Sequence, residues 1–341
     1  MMEPPVAVAD VKSDSATIWG PFQSPYGARV DIAAALNMPV EKVEVHNTLL
    51  GGGFGRKSWC DFGIEAAWLS QKIGAPVKVQ WTRTDDLHNS SYHTTSVEEL
   101  EVGTAENGKW LGFRHNSVAP SILSTFAPDS GHQFIIESAM GHLDNPYQVP
   151  AVSIENGKAM AKTRIGWFRV VSNIPRAWAH QTFQSEVAAA LGRDELEYML
   201  EVMGEDREVD VDAQNFPDNY WDYGEHKGVY KFDVGRLKNV LRLAADKSAY
   251  GESLPEGEGV GLAAHRSFLT YIGVAAHVKV VDGQIRVPRM DIAVDAGFVA
   301  MPERVESQIQ GAAVMGMTAA LYSGITFENG VPQQDNFDTY Q

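Results

Sequence analysis

A cluster of glycines between a strand and a helix constrains this chain more than any other feature. Residues 43–46 alternate as a strand does, Gly51 to Gly55 follow with only Phe54 between them, and residues 64–73 have helical spacing. Such a loop can aim backbone N–H groups at an anion beside the positive end of a helix dipole. Arg56 stands where both the dinucleotide-binding and the Walker patterns need glycine. Spacing alone leaves two interpretations open, an anion or cofactor site and a merely tight strand–helix turn.

Size and charge limit the class of protein. A chain of 341 residues suggests two domains, and we place their boundary near 150–165, giving domains 1–160 and 161–341. The formal net charge of −16 argues against a sequence-independent grip on nucleic acid, which needs cations facing phosphates. No apolar run approaches the roughly 20 residues that span a bilayer. The one cysteine, Cys60, cannot hold an iron–sulfur cluster, which takes about four thiolates.

Periodicity predicts strands and helices in alternation over the first hundred residues. Strands are predicted at 16–19, 43–46 and 77–81, and helices at 29–36 and 64–73, an order that implies a sheet covered by helices.

Later segments carry clear turn and helix signals. Hairpins are predicted around Asn107-Gly108, Asp282-Gly283 and Asn329-Gly330. Helices are predicted at 181–203, broken at 192–194 with Asp194 as a cap, at 234–249, and at 302–321, where Pro302 suits the first turn.

Few side chains form a chemical constellation by spacing. Gln23 lies in a proline-bounded turn and Gln308 lies in a helix among small residues; each is either a ligand-binding amide or an ordinary loop or packing residue. The ten histidines are scattered without zinc-ligand spacing and are expected on the surface or in the core. The carboxylate pairs at 85–86 and 98–99 are expected on solvated faces.

Six short segments in order nevertheless resemble one protein family, the xanthine dehydrogenase/aldehyde oxidase superfamily. They are Gly-Pro-Phe-Gln-Ser-Pro at 20–25, Leu-Leu-Gly-Gly-Gly-Phe-Gly-Arg-Lys at 49–57, His-Leu-Asp-Asn-Pro-Tyr at 142–147, Trp-Phe-Arg at 167–169, Ser-Glu-Val-Ala at 185–188 and Gln-Ile-Gln-Gly-Ala at 308–312. Met-Glu-Pro-Pro at 2–5 and Ala-His-Arg-Ser-Phe at 264–268 are most similar to the large subunit of the isoquinoline 1-oxidoreductase type.

The resemblance implies a fold and a reaction. It implies an α+β protein with molybdenum-cofactor-binding domains of the aldehyde oxidase type, in which mixed sheets are covered by helices. The implied cofactor is molybdenum–molybdopterin, in its cytosine dinucleotide form. The implied reaction hydroxylates a carbon next to nitrogen, or an aldehyde, with oxygen from water. Electrons would leave through 2Fe–2S clusters of an iron–sulfur partner subunit, since the cofactor dithiolene rather than the protein holds the metal.

The resemblance also assigns roles to residues. Gln23 matches a catalytic glutamine beside an oxygen ligand of molybdenum. The loop of Gly52, Gly53, Phe54 and Gly55 matches backbone that lies against the metal centre and pterin. The remaining matches are an arginine that closes the pocket and the helix segment that binds the pterin, namely Arg169, Gln308 and Gly311.

Departures from the family pattern sharpen the expectation. The glutamate base of the family lies in a downstream Gly-Glu-Pro segment, and an upstream Gln-Gly motif binds the cofactor. Neither motif is present in these 341 residues, so we expect a fragment of a longer subunit that is inactive by itself. Ser58 and Ser138 stand where xanthine-oxidising members carry charged residues, so an apolar heteroaromatic or aldehyde substrate is expected. A non-catalytic cofactor-binding scaffold and an unrelated nucleotide-binding protein are the alternatives.

Overall fold

The structure is a computed structural model that describes residues 2–125 and 130–340. The strands of the described chain are, in order, β1 (Val6–Val11), β2 (Ala16–Gly20), β3 (Val43–Asn47), β4 (Val77–Gln80), β5 (Val97–Thr104), β6 (Trp110–Val118), β7 (Ala151–Gly157), β8 (Glu258–Ser267), β9 (Thr270–Val281), β10 (Gln284–Asp295), β11 (Phe327–Glu328) and β12 (Val331–Pro332). Its α-helices are α1 (Pro25–Leu36), α2 (Asp61–Ile73), α3 (Arg83–Asn89), α4 (Ile135–Ser138), α5 (Asn173–Ala190), α6 (Glu195–Met203), α7 (Val234–Lys247) and α8 (Pro302–Leu321). Mixed sheets covered by helices make this an α+β protein, as expected.

The described residues form two compact units built from separated stretches of chain. The first unit contains residues 2–93, 161–169 and 314–340. The second contains residues 94–125, 130–160 and 170–313. The division into 1–160 and 161–341 stays a prediction.

A four-stranded sheet organises the first unit. Its order is β3-β2-β1-β4, with β2 and β3 parallel and the other pairs antiparallel. The sheet alternates as a pleat requires: Ala7, Ala9 and Ile18 face a core that contains Ile32 of α1 and Phe62 of α2. Both helices therefore cover the same face. β1, which periodicity did not predict, lies between β2 and β4.

The ends of α1 and α2 follow local backbone chemistry. Asn37 (φ 53°) and Gly74 (φ 74°) stop the two helices in the left-handed conformation, as expected. α1 begins at Pro25, four residues before the predicted start at Arg29, because proline is tolerated in the first turn of a helix.

Two three-stranded sheets organise the second unit. One has the order β5-β6-β7 and the other β10-β9-β8. α6 serves two cores: Tyr198 and Val202 pack with β6, whereas Met199 and Met203 pack with α7 and the other sheet. Only a glycine suits position 273 of β9, since an added Cβ would come within 2.1 Å of the Val240 carbonyl oxygen of α7.

The predicted helix break and hairpins are confirmed, with one difference in turn geometry. Asp194 caps α6 by accepting a hydrogen bond from the Glu197 amide at 2.9 Å. Asp282-Gly283 and Asn329-Gly330 both have two consecutive positive φ angles, as a type I′ turn requires. Around Asn107 the strands are instead joined by a longer loop, since β5 ends at Thr104 and β6 begins at Trp110. The Asn107 side chain there accepts a hydrogen bond from the Lys109 amide rather than lying in a two-residue turn.

Candidate functional site

The glycine loop between β3 and α2 leaves a row of backbone donors unused. Gly52, Phe54 and Gly55 have φ angles of 101°, 51° and 91°, which places three of four consecutive residues in the region that favours glycine. Within the described residues, the N–H groups of Gly52, Gly53 and Phe54 have no hydrogen-bond acceptor, whereas those of Gly51, Gly55 and Arg56 do. Three consecutive free N–H groups can meet an electron-rich ligand.

Gln23 lies directly against this loop. Its side-chain Oε1 accepts hydrogen bonds from the main-chain N–H groups of Gly55 (2.9 Å) and Lys57 (3.2 Å). Its main-chain N–H donates to the Lys57 carbonyl oxygen at 2.9 Å. Two N–H donors on one atom require that this atom be the oxygen. The Gln23 Nε2 has no acceptor among the described residues, so it is left as a donor on an exposed side chain.

The glycine at position 53 makes this approach possible. A Cβ there would lie 2.3 Å from Gln23 Oε1, closer than any real contact allows. Gly53 has an ordinary φ angle, so its requirement is steric rather than conformational. The amide of Gln23 and the backbone of the loop therefore depend on each other.

The two cations of the loop are both bound to carboxylates. Arg56 is 7% exposed and makes a two-point ion pair with Asp61, at 2.9 and 2.8 Å, while its guanidinium lies over the Trp81 ring. Lys57 is fully buried and pairs with Glu3. Contacts to an anion at this loop would therefore come from main-chain N–H groups and the Gln23 amide.

A segment from later in the chain closes one side of the loop. A Cβ added to Gly55 would lie 2.8 Å from Trp167 Cβ, so the two backbones are in close contact. The segment is pinned by a bridge between Tyr92 and Ile165. Arg169 is half-buried two residues after Trp167, and Phe168 between them is partly exposed.

The other predicted site residues belong to the second unit. Gln308 and Gly311 are exposed one turn apart on α8. A groove of about 610 Å³ lies between β10 and the same helix, and its lining includes Ile292, Val305 and Ile309. The structure thus brings Gln23 together with Gly52–Gly55 and the segment before Arg169, and places Gln308 and Gly311 on one helix.

A buried hydrogen-bonded chain in the second unit was not foreseen. Gln184 Nε2 donates to Tyr147 (3.0 Å), whose hydroxyl lies 2.8 Å from His180 Nδ1. His180 Nε2 lies 3.1 Å from His115 Nδ1, and His115 Nε2 lies 2.7 Å from the Glu98 carboxylate. A neutral His180 satisfies both of its links, since Nδ1 can accept from the Tyr147 hydroxyl while Nε2 donates to His115 Nδ1. The histidines are core residues, as expected, but Glu98 is not on a solvated face: its side chain is 3% exposed.

Burial sets the ionisation of this region. Desolvation lowers the pKa of His180 well below its ordinary value, and lowers that of His142 to about 2 and that of His265 to about 4. Burial alone would raise the pKa of Glu98, but hydrogen bonding and charge from His115 outweigh it and the pKa is lowered. Asp144 shows the opposite balance, since burial raises its pKa to about 6 despite the nearby Arg266.

Asp86, in the first unit, is also buried and makes an ion pair with Arg83. The expectation that Asp86 lies on a solvated face is therefore wrong.

Other candidate chemistries find no support in the described residues. No group of three or more His, Cys, Asp or Glu side chains there is arranged as metal ligands. Cys60 is buried at the start of α2, and desolvation together with Asp31 raises its pKa to about 12, so it stays a thiol. None of the helices in the described part of the chain combines the length and apolar content that crossing a bilayer requires.

The chain is similar in sequence to subunits of known oxidoreductases and dehydrogenases. The chain is 29% identical over 332 residues to a membrane-bound aldehyde dehydrogenase [pyrroloquinoline-quinone] of Gluconacetobacter polyoxogenes, covering 91% of this chain and 40% of that protein. It is 25% identical over 351 residues to isoquinoline 1-oxidoreductase subunit beta of Brevundimonas diminuta, covering 99% and 41%. The chain thus spans about two fifths of the length of these curated relatives.

Solved structures share the fold. Quinoline 2-oxidoreductase from Pseudomonas putida 86 aligns with a TM-score of 0.54 at 20% identity, covering 80% of this chain and 34% of that one. Aldehyde oxidoreductase from Desulfovibrio gigas aligns with a TM-score of 0.57 at 17% identity, covering 81% and 28%. Two molybdopterin cofactor-binding domain families match the chain itself, one over residues 1–202 and one over residues 178–341. The chain therefore belongs to the molybdopterin-binding subunits of the xanthine dehydrogenase/aldehyde oxidase superfamily.

Proposed function

We propose that this protein holds the molybdenum–molybdopterin cofactor in the catalytic subunit of a molybdenum hydroxylase. The observation that carries the proposal is the row of unused N–H groups at Gly52, Gly53 and Phe54 beside the outward-facing Nε2 of Gln23. When bound, such a cofactor supplies oxidation of a substrate carbon with oxygen taken from water.

The donor set fits that group. Phosphate and metal-held oxygens are acceptors, and the loop offers them three unused main-chain donors, while its two cations are already paired. Gln23 would present its side-chain nitrogen to the reacting centre, and Gly52, Gly53 and Phe54 would present main-chain N–H groups. Gly55 would hold the Gln23 side chain in place through its own N–H. Arg169 would close the pocket, while Gln308 and Gly311 would bind the pterin from α8. These roles follow from the match of each residue to the family pattern.

Cofactor content tests the proposal. The catalytic subunit that contains this sequence is produced in a bacterium that makes the cytosine dinucleotide form and assayed for molybdenum, for the pterin and for released nucleotide. About one molybdenum and one pterin with cytidine monophosphate are expected per catalytic subunit, whereas residues 1–341 by themselves should bind the cofactor weakly and show no turnover. Gly53→Ala should abolish most loading, because its Cβ would displace Gln23 Oε1, and Gly103→Ala is the control because nothing lies within 4 Å of its added Cβ.

Three results would count against this reading. Zinc or iron alone in the protein, a bound quinone in place of the pterin, or equal loading of the two alanine variants would each contradict it. Full loading without turnover would favour the scaffold alternative.

The substrate we propose is an apolar N-heteroaromatic compound or an aldehyde. Ser58 and Ser138 carry no charge to hold the polar edge of a purine, and Trp167 and Phe168 stand beside Arg169. Turnover of the loaded enzyme with isoquinoline, an aromatic aldehyde and xanthine compares the classes directly. We expect xanthine to be the slowest, and faster turnover of xanthine would overturn this part of the proposal.

The electron partner we propose is an iron–sulfur subunit. The single cysteine of the chain, Cys60, is buried, whereas a cluster needs about four thiolates. Electrons leaving the cofactor would therefore pass to clusters outside residues 1–341. Co-purification with a protein that shows the absorption and EPR spectra of 2Fe–2S centres is the expected result, and iron-free turnover with the physiological acceptor would contradict it.

A further inference from the structure

One ion pair ties both ends of the glycine loop to the start of the chain. The Lys57 side chain is fully buried, and its Nζ pairs with the Glu3 carboxylate. The same carboxylate oxygen accepts a hydrogen bond from the Gly51 amide at 3.1 Å. Glu3 therefore holds the first glycine of the loop, Gly51, and the residue two positions after its last glycine, Lys57.

Lys57 also holds Gln23 through its backbone. Its main-chain N–H donates to Gln23 Oε1, and its carbonyl oxygen accepts a hydrogen bond from the Gln23 main-chain N–H. A shift of Lys57 would therefore move one of the two hydrogen bonds to Gln23 Oε1 together with the bond that holds the Gln23 main chain. The side chain of Lys57 and the orientation of the Gln23 Nε2 are thereby coupled through three bonds of one residue.

The electrostatics make this coupling strong. A buried ammonium without a counter-ion is costly, so the Lys57 side chain stays inside only while Glu3 neutralises it. Removing one partner leaves an uncompensated charge, whereas replacing both with neutral residues of similar shape can be nearly neutral. Gly51 needs to be glycine beside Glu3, since an added Cβ would lie 2.8 Å from Glu3 Cβ.

We propose that Glu3 and Lys57 are positioning residues for cofactor binding: their ion pair sets the glycine loop and aims the amide of Gln23. This inference rests on the proposed function, because the loop and Gln23 are the groups proposed to meet the cofactor. Neither side chain is proposed to touch the cofactor itself.

A double-mutant cycle tests the proposal with two readouts. Lys57→Met, Glu3→Gln and the double variant are compared for pterin and molybdenum per folded chain at limiting cofactor. They are also compared, without cofactor, for hydrogen exchange of peptides spanning 51–58. We expect Glu3→Gln, which strands the buried Lys57 ammonium, to lower cofactor affinity at least tenfold and to speed exchange of the Gly51, Gly55 and Lys57 amides. Lys57→Met leaves the partly exposed Glu3 unpaired and should have a smaller effect of the same sign. The double variant should recover most of both losses, because the glutamine oxygen still accepts the Gly51 amide and no charge is stranded.

The control is an ion pair in the same unit whose lysine is exposed. Lys12 and Asp10 lie 2.7 Å apart, with the Lys12 side chain 57% exposed, and Lys12→Met should change neither readout. Unchanged loading and exchange in Glu3→Gln would overturn the inference, as would a double variant no better than Glu3→Gln alone. If the unsubstituted protein takes up no cofactor, the proposed function fails, and the exchange data alone decide whether the ion pair positions the loop.

Discussion

At the scale of single residues, the orientation of one amide determines what the candidate site can do. Gln23 offers an acceptor and a donor, and the loop uses only the acceptor. The donor is therefore directed by two main-chain amides rather than by neighbouring side chains. A carboxylate of the same shape would satisfy the same amides and offer no donor.

This difference allows Gln23 to be tested without disturbing the loop. Gln23→Glu keeps an oxygen for the amides of Gly55 and Lys57, so loading and hydrogen exchange of the loop should stay close to normal. Turnover should fall by about 10²-fold, the typical cost of losing one donor to developing charge. Gln23→Met, which removes donor and acceptor together, should also loosen the loop. Normal turnover in Gln23→Glu, measured at full molybdenum content, would exclude the Nε2 donor from the reaction.

At the scale of elements, the sequence predicted the helix ends and turns that depend only on local backbone conformation. Asn37 and Gly74 stop their helices, Asp194 caps α6, and Asp282-Gly283 turns a hairpin, because each needs only its own backbone conformation. Strand β1 was not predicted because its buried positions 7 and 9 are alanines, which are too weakly apolar to show an alternation of apolar and polar residues.

Some parts of the candidate site could be predicted from the sequence and others could not. The glycine loop and Gln23 could be found from residue types and order, and the structure brings them together. The Glu3–Lys57 ion pair could not, since 54 positions separate its partners and neither residue signals the other. Glu98 was placed on a solvated face because a carboxylate usually prefers water. Its burial is offset by hydrogen bonds from His115 and Ser117, which no local pattern reveals.

At the scale of the whole molecule, buried histidines make stability depend on pH. The folded pKa values of His142, His180 and His265 lie below the unfolded value of about 6.5, so the folded chain binds fewer protons than the unfolded chain. Stability from these groups is complete above pH 6.5 and is lost as the pH falls. Each contributes a slope of about 1.4 kcal/mol per pH unit in that range. Asp144, with a folded pKa of about 6, offsets one histidine below that pH.

Urea unfolding between pH 7.5 and 5 checks this expectation. The free energy of unfolding should begin to fall near pH 6.5 and should fall more steeply about one pH unit below it, where the unfolded histidines are almost fully protonated. His142→Leu should reduce the slope by about one histidine's share. Met140→Leu changes a buried neighbour without an ionisable group and should leave the slope unchanged. A free energy that does not vary across this range would mean that these histidines are not buried in the neutral form.

The row of main-chain donors at Gly52, Gly53 and Phe54 has a consequence for how such a protein can vary over generations. The groups that it offers the cofactor are main-chain N–H groups, which every residue except proline supplies, so substitutions around the loop leave them in place. Point mutations can reshape the walls in front of the loop, and with them the range of molecules admitted, while the recognising groups persist. A protein with this loop can therefore acquire new substrates while the groups that bind its cofactor stay the same.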